Sequence, residues 1–349
     1  MAIYLDDTQR NAIARLSMSR TWRTQWPTWA LIVAIYGGWF GVATHARVLG
    51  LPLTTALLAL VSAWYMSLQH ELLHGHPTRS ARLNALLGFT PLAVWFPYRV
   101  YRDSHLQHHD DPQLTKPRHD PESYFVDGEV WERAGWAMRA LLTCRNTLAG
   151  RLLLGPAFAI AATGVDALRK IKRGDWRDVP AWLAHFAALA ALTAWLQYVC
   201  SISAWVFILG VGYGALSLGS LRSFREHRAA HECAHRTVIN EAGLFWRLLY
   251  LNNNFHLVHH DLPHVPWFAL RAVYEASREQ YIERSGGFLV AGYGEWVRHN
   301  AFVPAENPVH DRPRGFAPAF KEPAMYAGRR CSSSHRAMNP RTVSCRHRK

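Results

Sequence analysis

"PTWALIVAIYGGWFGVATHARVLGLPLTTALLALVSAWYMSLQHELLH" occupies residues 27–74, and its only formally charged residues are Arg47, near the middle, and Glu71, near the end. Pro27 to Thr44 and Leu49 to Gln69 are free of charge. At 1.5 Å per residue each stretch reaches about 30 Å as a helix, the thickness of a bilayer core. Only "HARV" separates them, so the segment reads as a tight hairpin of two membrane-spanning helices.

A second charge-free run extends from Val179 to Leu221. Its length, about 43 residues, is twice what one span needs, which implies a second hairpin turning near "QYVCSIS". The expected fold is therefore an all-α polytopic membrane protein with four transmembrane helices in two hairpins, at about 27–44, 49–69, 180–199 and 202–221. Two shorter apolar runs, Leu83 to Tyr98 and Leu152 to Val165, reach only about 22 Å and are expected to be interfacial or re-entrant and not to span. Residues 1–26 form an N-terminal segment, 27–311 one membrane domain, and 312–349 a basic tail. That tail carries Pro, Gly, Ser and Arg without periodicity and is expected to be disordered.

Arg10, Arg15, Arg20 and Arg23 precede the first span, "RKIKRGDWR" (169–177) the third, and Arg222, Arg225 and Arg228 follow the fourth. The positive-inside rule then puts both termini in the cytoplasm and leaves only Arg47 outside. The expected location is a bacterial inner membrane. The N-terminal stretch lacks the apolar core of a cleavable signal peptide, so the first span is expected to target the chain.

The formal charge is +14, but the basic residues lie beside apolar segments and in the tail and form no single stripe, so no nucleic-acid partner is expected. The five cysteines form no CxxC pair, which speaks against a disulfide framework and for a reduced, cytosol-facing chain. Cys331 and Cys345 with His335 and His347 are the only zinc-like grouping among them, and a weak one.

The histidines are the second strong signal. His70 and His74 sit in "HELLH" at the end of the second span. "HLQHHDD" (105–111) supplies His105, His108 and His109, and "HLVHHDL" (256–262) supplies His256, His259 and His260. In the four-span topology all three clusters face the cytoplasm, on a helical cap. Spacings i, i+3 and i+4 put each cluster on one helix face, with its ring nitrogens able to converge on one ion. Imidazole is neutral near pH 7 and binds Fe, Zn, Cu or Ni. Eight imidazoles exceed the needs of one ion, and two metal ions fit the count. His45, His119, His185 and His299 stand alone and read as ordinary structural or interfacial histidines.

HxxxH, HxxHH and HxxHH in this order, between and after two hydrophobic hairpins, resemble the integral-membrane fatty acid desaturase and hydroxylase superfamily, in its bacterial desaturase-like branch. The likeness covers roughly residues 25–300. It implies a histidine-ligated di-iron centre that uses O2, and a ninth ligand between the fourth span and the last box. Glu226-His227 in "SFREHRAAHECAHRTVINE" is similar to the extra-histidine motif of the membrane alkane hydroxylase branch, which points to His227. His231 is the alternative, one helical turn on, and His235 is the third histidine of the segment; the additional "HECAH" departs from the usual pattern.

His76, His264 and Asn252 to Asn254, Asn253 among them, lie beside the boxes and suit supporting roles. Asp110, Asp111, Asp261, Glu71 and Glu226 are the candidate carboxylate partners for ligand N–H groups.

The resemblance implies oxidation of an unactivated C–H bond. HxxHH in the second box leans towards a desaturase over a hydroxylase, by analogy alone. The substrate is expected to be an acyl lipid, with a small metabolite such as an amino-acid derivative as the alternative. No nucleotide loop, haem domain or iron–sulfur cysteine set is visible in the sequence, so electrons are expected from a ferredoxin, rubredoxin or cytochrome with its reductase. A metal transporter would carry its acids and histidines within the spans, and a bis-histidine haem protein would not multiply them at i, i+3, i+4.

Overall fold

The computed structural model describes residues 2–310; the expected tail, with Cys331, Cys345, His335 and His347, lies outside them. Helices begin where the sequence supplies a cap. α1 (Asp7–Ser17) starts at Asp6, whose carboxylate accepts the Gln9 N–H. α2 (Trp26–Thr44) carries Pro27 in its first turn, where a missing N–H breaks no bond. α3 (Leu51–Leu73) begins after Gly50, whose φ of 77° lets the chain reverse within a few residues.

In lipid, apolar burial adds little to helix association, so close packing and buried hydrogen bonds hold α2 on α3. Trp39 is fully buried between them and its Nε1 donates to Ser62 Oγ at 3.0 Å, a bond worth about 1 kcal/mol in such a setting.

The chain continues through α4 (Ala81–Gly88), α5 (Tyr98–Asp110), α6 (Trp136–Arg145), α7 (Leu148–Lys172) and α8 (Val179–Tyr198). A π-helical stretch, Val206–Gly212, then runs into α9 (Tyr213–Arg222). Gly210 lets this stretch approach α3, because a Cβ there would sit 2.9 Å from Thr55 Cγ2. After α9 come β1 (Ile239–Asn240), α10 (Leu244–Leu249), α11 (His256–Asp261), α12 (Trp267–Ala276), α13 (Arg278–Arg284) and β2 (Leu289–Val290), which pairs in parallel with β1. The last elements share a core of Val258, Leu270, Tyr274 and Tyr281, and Ile13 of α1 packs into it.

Four helices are long and apolar enough to cross a membrane: α2, α3, α7 and α8. Three match expected spans, and two expectations need correction. Residues 152–165 belong to a helix of 25 residues, because Thr147 caps it five residues upstream of the apolar run and Asp166 to Lys172 prolong it without a breaker until Gly174. Conversely, residues 202–221 do not form one full-length helix. The chain is non-helical at Ser201 to Ser203, and Val206–Arg222 is shorter than a span by the same measure.

The contacts give α7 an unusual course. Arg47 Nε donates to Ser201 Oγ at 3.0 Å and the Phe40 and Trp195 rings are 5.4 Å apart, so α8 ends beside the turn joining α2 and α3, far from the histidines. The start of α8, and therefore the turn that follows α7, lies towards the opposite side. The start of α7 is on that opposite side too: Arg151 covers the Tyr124 ring, and Tyr124 Oη donates to the His227 carbonyl at 2.7 Å. Both ends of α7 thus face the histidine side.

Candidate metal centre

The nine histidines fall into two groups. His70, His74, His105, His109 and His259 form one; His108, His227, His256 and His260 form the other; within each, the available ring nitrogens lie within 4.8 Å of one another. The groups share a wall, with the His109 and His260 rings stacked at 4.2 Å.

Helical spacing explains how three short segments serve two groups, and it corrects the expectation that each HxxHH converges on one ion. On α5, His105 and His109 are one turn apart and enter the five-histidine group, while His108, rotated about 60° from His105 and about 100° from His109, enters the other. α11 does the reverse: His256 and His260 join the four-histidine group and His259 the five. The two boxes interlock crosswise, so neither group is complete without both.

The ring nitrogens fit a cation. His108 Nδ1 lies 2.7 Å from Asp120 Oδ1 and His105 Nδ1 lies 2.9 Å from Glu122 Oε1. A carboxylate can only accept, so these rings carry their proton on Nδ1 and turn a bare Nε2 lone pair inward. His256 Nδ1 does the same towards Asn253 Oδ1 at 3.2 Å. Yet Nε2 of His108 and of His256 each lie 3.1 Å from Nε2 of His227, and His109 Nε2 lies 3.1 Å from both His105 Nε2 and His259 Nε2. Among the described residues, the buried His70 Nε2 and His74 Nε2 have no hydrogen-bond partner. Converging lone pairs repel, and two neighbouring ligands of one ion at about 2.1 Å stand roughly 3 Å apart.

Electrostatics agree. Burial, reinforced by neighbouring rings, holds His256, His259 and His260 well below the ordinary histidine value and His227 at about 3, so they are neutral and ready to ligate. Burial also disfavours charge on His108, but Glu122 and Asp120 overcome it and raise the value. The same pairing holds the Glu122 carboxyl well below its usual range against the effect of burial, through His105 and then His108.

Other expected residues are dispersed. His231 is exposed and belongs to neither group, whereas His227 belongs to one; His235 contacts Glu232. His76 is buried outside both groups and held by burial at about 4; His264 meets the Tyr4 ring. Asp110 is exposed and Asp111 Oδ1 accepts the Gln113 N–H, so neither serves a ring. Asp261 is ion-paired to Arg284 at 2.6 Å and steadies α11 from behind. Glu71 accepts the Trp267 N–H and stands 3.9 Å from His70 Nδ1, and Glu226 stands 3.8 Å from both Arg222 and His256 Nδ1.

The carboxylates that do hold rings, Asp120 and Glu122, escaped the sequence reading. They come 12 and 17 residues after their partners, in a loop that folds back through Pro112, Pro117 and Pro121, and no helical period connects such positions. The acidic alternation in "DPES" (120–123) was the available cue.

A family model described as fatty acid desaturase matches residues 46–290. No curated protein matches the chain.

Proposed function

Because the chain belongs to the fatty acid desaturase family, and so is an integral membrane oxidoreductase of the desaturase and hydroxylase type, we propose that it introduces a double bond into the hydrocarbon chain of an acyl lipid. In this reading the nine grouped histidines ligate two iron ions within one membrane domain, residues 27–311. Reduced iron with O2 would supply an oxidant strong enough to take hydrogen from an unactivated C–H bond. The protein's own work is to hold the rings with Asp120, Glu122 and Asn253, keep His227, His256, His259 and His260 neutral by burial, and admit an apolar chain. Electrons would come from an acidic ferredoxin, rubredoxin or cytochrome, which the basic cytoplasmic face suits.

The observation that favours an acyl chain is the depth of the cap. Trp64 Nε1 and Ser67 Oγ on α3 donate to the Leu248 and Leu249 carbonyls at 2.9 and 2.8 Å, so α10 packs below the level of His70 while exposing Leu244, Phe245 and Leu248. Tyr65 Oη donates to the Gly88 carbonyl at 2.7 Å, and α4 exposes Leu83 and Leu86. Apolar side chains bared beside a span suit hydrocarbon. The two histidine groups would then lie near the headgroup level, where a lipid reaches them laterally. Expression in a bacterium with only saturated acyl chains, with a ferredoxin system added, should yield lipids lighter by two hydrogens. Lipids heavier by one oxygen would replace desaturation by hydroxylation, and unchanged lipids with a loaded metal centre would favour a small-metabolite substrate.

We further propose that α7 lies along the cytoplasmic membrane face, and that α2, α3, α8 and the Val206–Arg222 segment cross. Reporter fusions after Tyr101, after Gly174 and after Glu226 should all read cytoplasmic. A periplasmic reading after Gly174 means that α7 crosses.

A further inference from the structure

Arg151 is only 8% exposed, and among the described residues no hydrogen bond or ion pair reaches its guanidinium. Its one close partner is the face of Tyr124, 4.3 Å away. Arg145, 9% exposed, donates through Nη2 to the Tyr124 carbonyl and leaves Nε buried without a partner. Arg225 also acts on Tyr124; two acids act on Arg151, Glu226 and Glu306, of which Glu306 acts on Tyr124 as well, and among the described residues neither forms an ion pair with Arg151. Three guanidinium groups therefore act on one phenol, and among the described residues two carboxylates act on Arg151 without touching it.

An arginine taken out of water without an anion is costly, and truncating one member of a buried charge pair is strongly destabilising for the same reason. Guanidinium, planar and forked, matches carboxylate and phosphate oxygens. The position is informative as well. Tyr124 joins the cluster to the metal centre, since its hydroxyl donates to the His227 carbonyl. The helices that supply Arg145 and Arg151, α6 and α7, expose Trp136, Met138, Leu141 and Leu153, so an amphiphile can approach along them with its tail in an apolar setting.

We propose that Arg151 and Arg145 bind the anionic end of the substrate, a carboxylate or phosphate carried on a hydrocarbon chain. The proposal rests on the acyl-chain reading only for the hydrocarbon; the anion site follows from the arginines. Arg151 is the recognition residue, and Arg145 fixes Tyr124 beneath it while offering a further N–H.

The test is binding of hexadecanoate, hexadecyl phosphate and hexadecanol to the full-length protein in a neutral detergent. The wild type should bind both anions at least tenfold tighter than the alcohol. Arg151→Gln should erase that preference with iron content and Tm unchanged, Arg151→Lys should recover part of it, and Lys172→Gln, at an exposed position of α7, should leave it intact. A tighter carboxylate identifies a free fatty acid as the source of the anion, and a tighter phosphate a phosphorylated lipid. Equal binding of alcohol and anions by the wild type overturns the site, whatever the fate of the variants; so does a preference that survives in Arg151→Gln. Protein without iron that keeps the anion preference would defeat the desaturase reading alone, and iron-loaded protein without it would defeat this site alone.

Discussion

His260→Ala and His109→Ala, made separately, should each reduce activity to background while the chain still inserts into the membrane at wild-type levels. The reason is local: each change removes one imidazole from a group to which other segments also contribute, and neither residue lies in a span. The metal content should separate the groups. His260→Ala and His256→Ala deplete the four-histidine site, and His74→Ala and His109→Ala the five-histidine site, so each variant falls from two ions per chain towards one. Because the His109 and His260 rings stack, loss at one site should also weaken the other, an effect that His74→Ala should show least. Full activity with two ions retained in His260→Ala would remove that residue from the ligand set. His231→Ala should keep both ions, as its exposed position requires.

The second large effect belongs to Asp120. Asp120→Asn keeps the shape of the side chain and removes the charge that fixes His108; metal affinity should fall about 10- to 100-fold, the range expected when a carboxylate supporting a ligand histidine is lost. Glu122→Gln should act in the same direction through His105. Asp110→Asn, exposed and beside the same box, should leave affinity unchanged. Competition against a chromophoric chelator measures all three. Equal affinity in Asp120→Asn and Asp110→Asn would show that the hydrogen bond to His108 Nδ1 does not support the centre.

The hairpin of α2 and α3 and eight of the nine grouped histidines were legible because both depend on short-range periodicity, absence of charge over a bilayer's thickness and i, i+3, i+4 spacing along a helix, whereas His227 was reached through the resemblance alone. Three features were hidden, each for a physical reason. The crosswise sharing of the HxxHH boxes depends on the relative rotation of α5 and α11, which no single helix encodes. Asp120 and Glu122 depend on a loop closing back on its own helix. The extent of α7 was misjudged because helix ends follow caps, here Thr147 and Gly174, while the estimate of 152–165 followed the apolar run. Its course along one side needed contacts as distant in sequence as Arg47 with Ser201 and Tyr124 with His227.

The docking of the N-terminal segment on the last box bears on the order in which the protein is made. Ile3 N–H donates to the Asp261 carbonyl at 2.7 Å, Gln9 Nε2 donates to Tyr281 Oη at 2.8 Å, and Ile13 fills the core behind α11. Residues 3–13 therefore lack these partners until residues 261–281 have been synthesised. Neither histidine group is complete before His259 and His260 are synthesised, so the spans are made before either group can close. In the di-iron reading, metal capture is then a terminal event, coincident with closure of the N-terminal segment over α11. A bulky fusion at the N-terminus should then slow loading without hindering insertion, while the same fusion at the C-terminus should leave both rates alone.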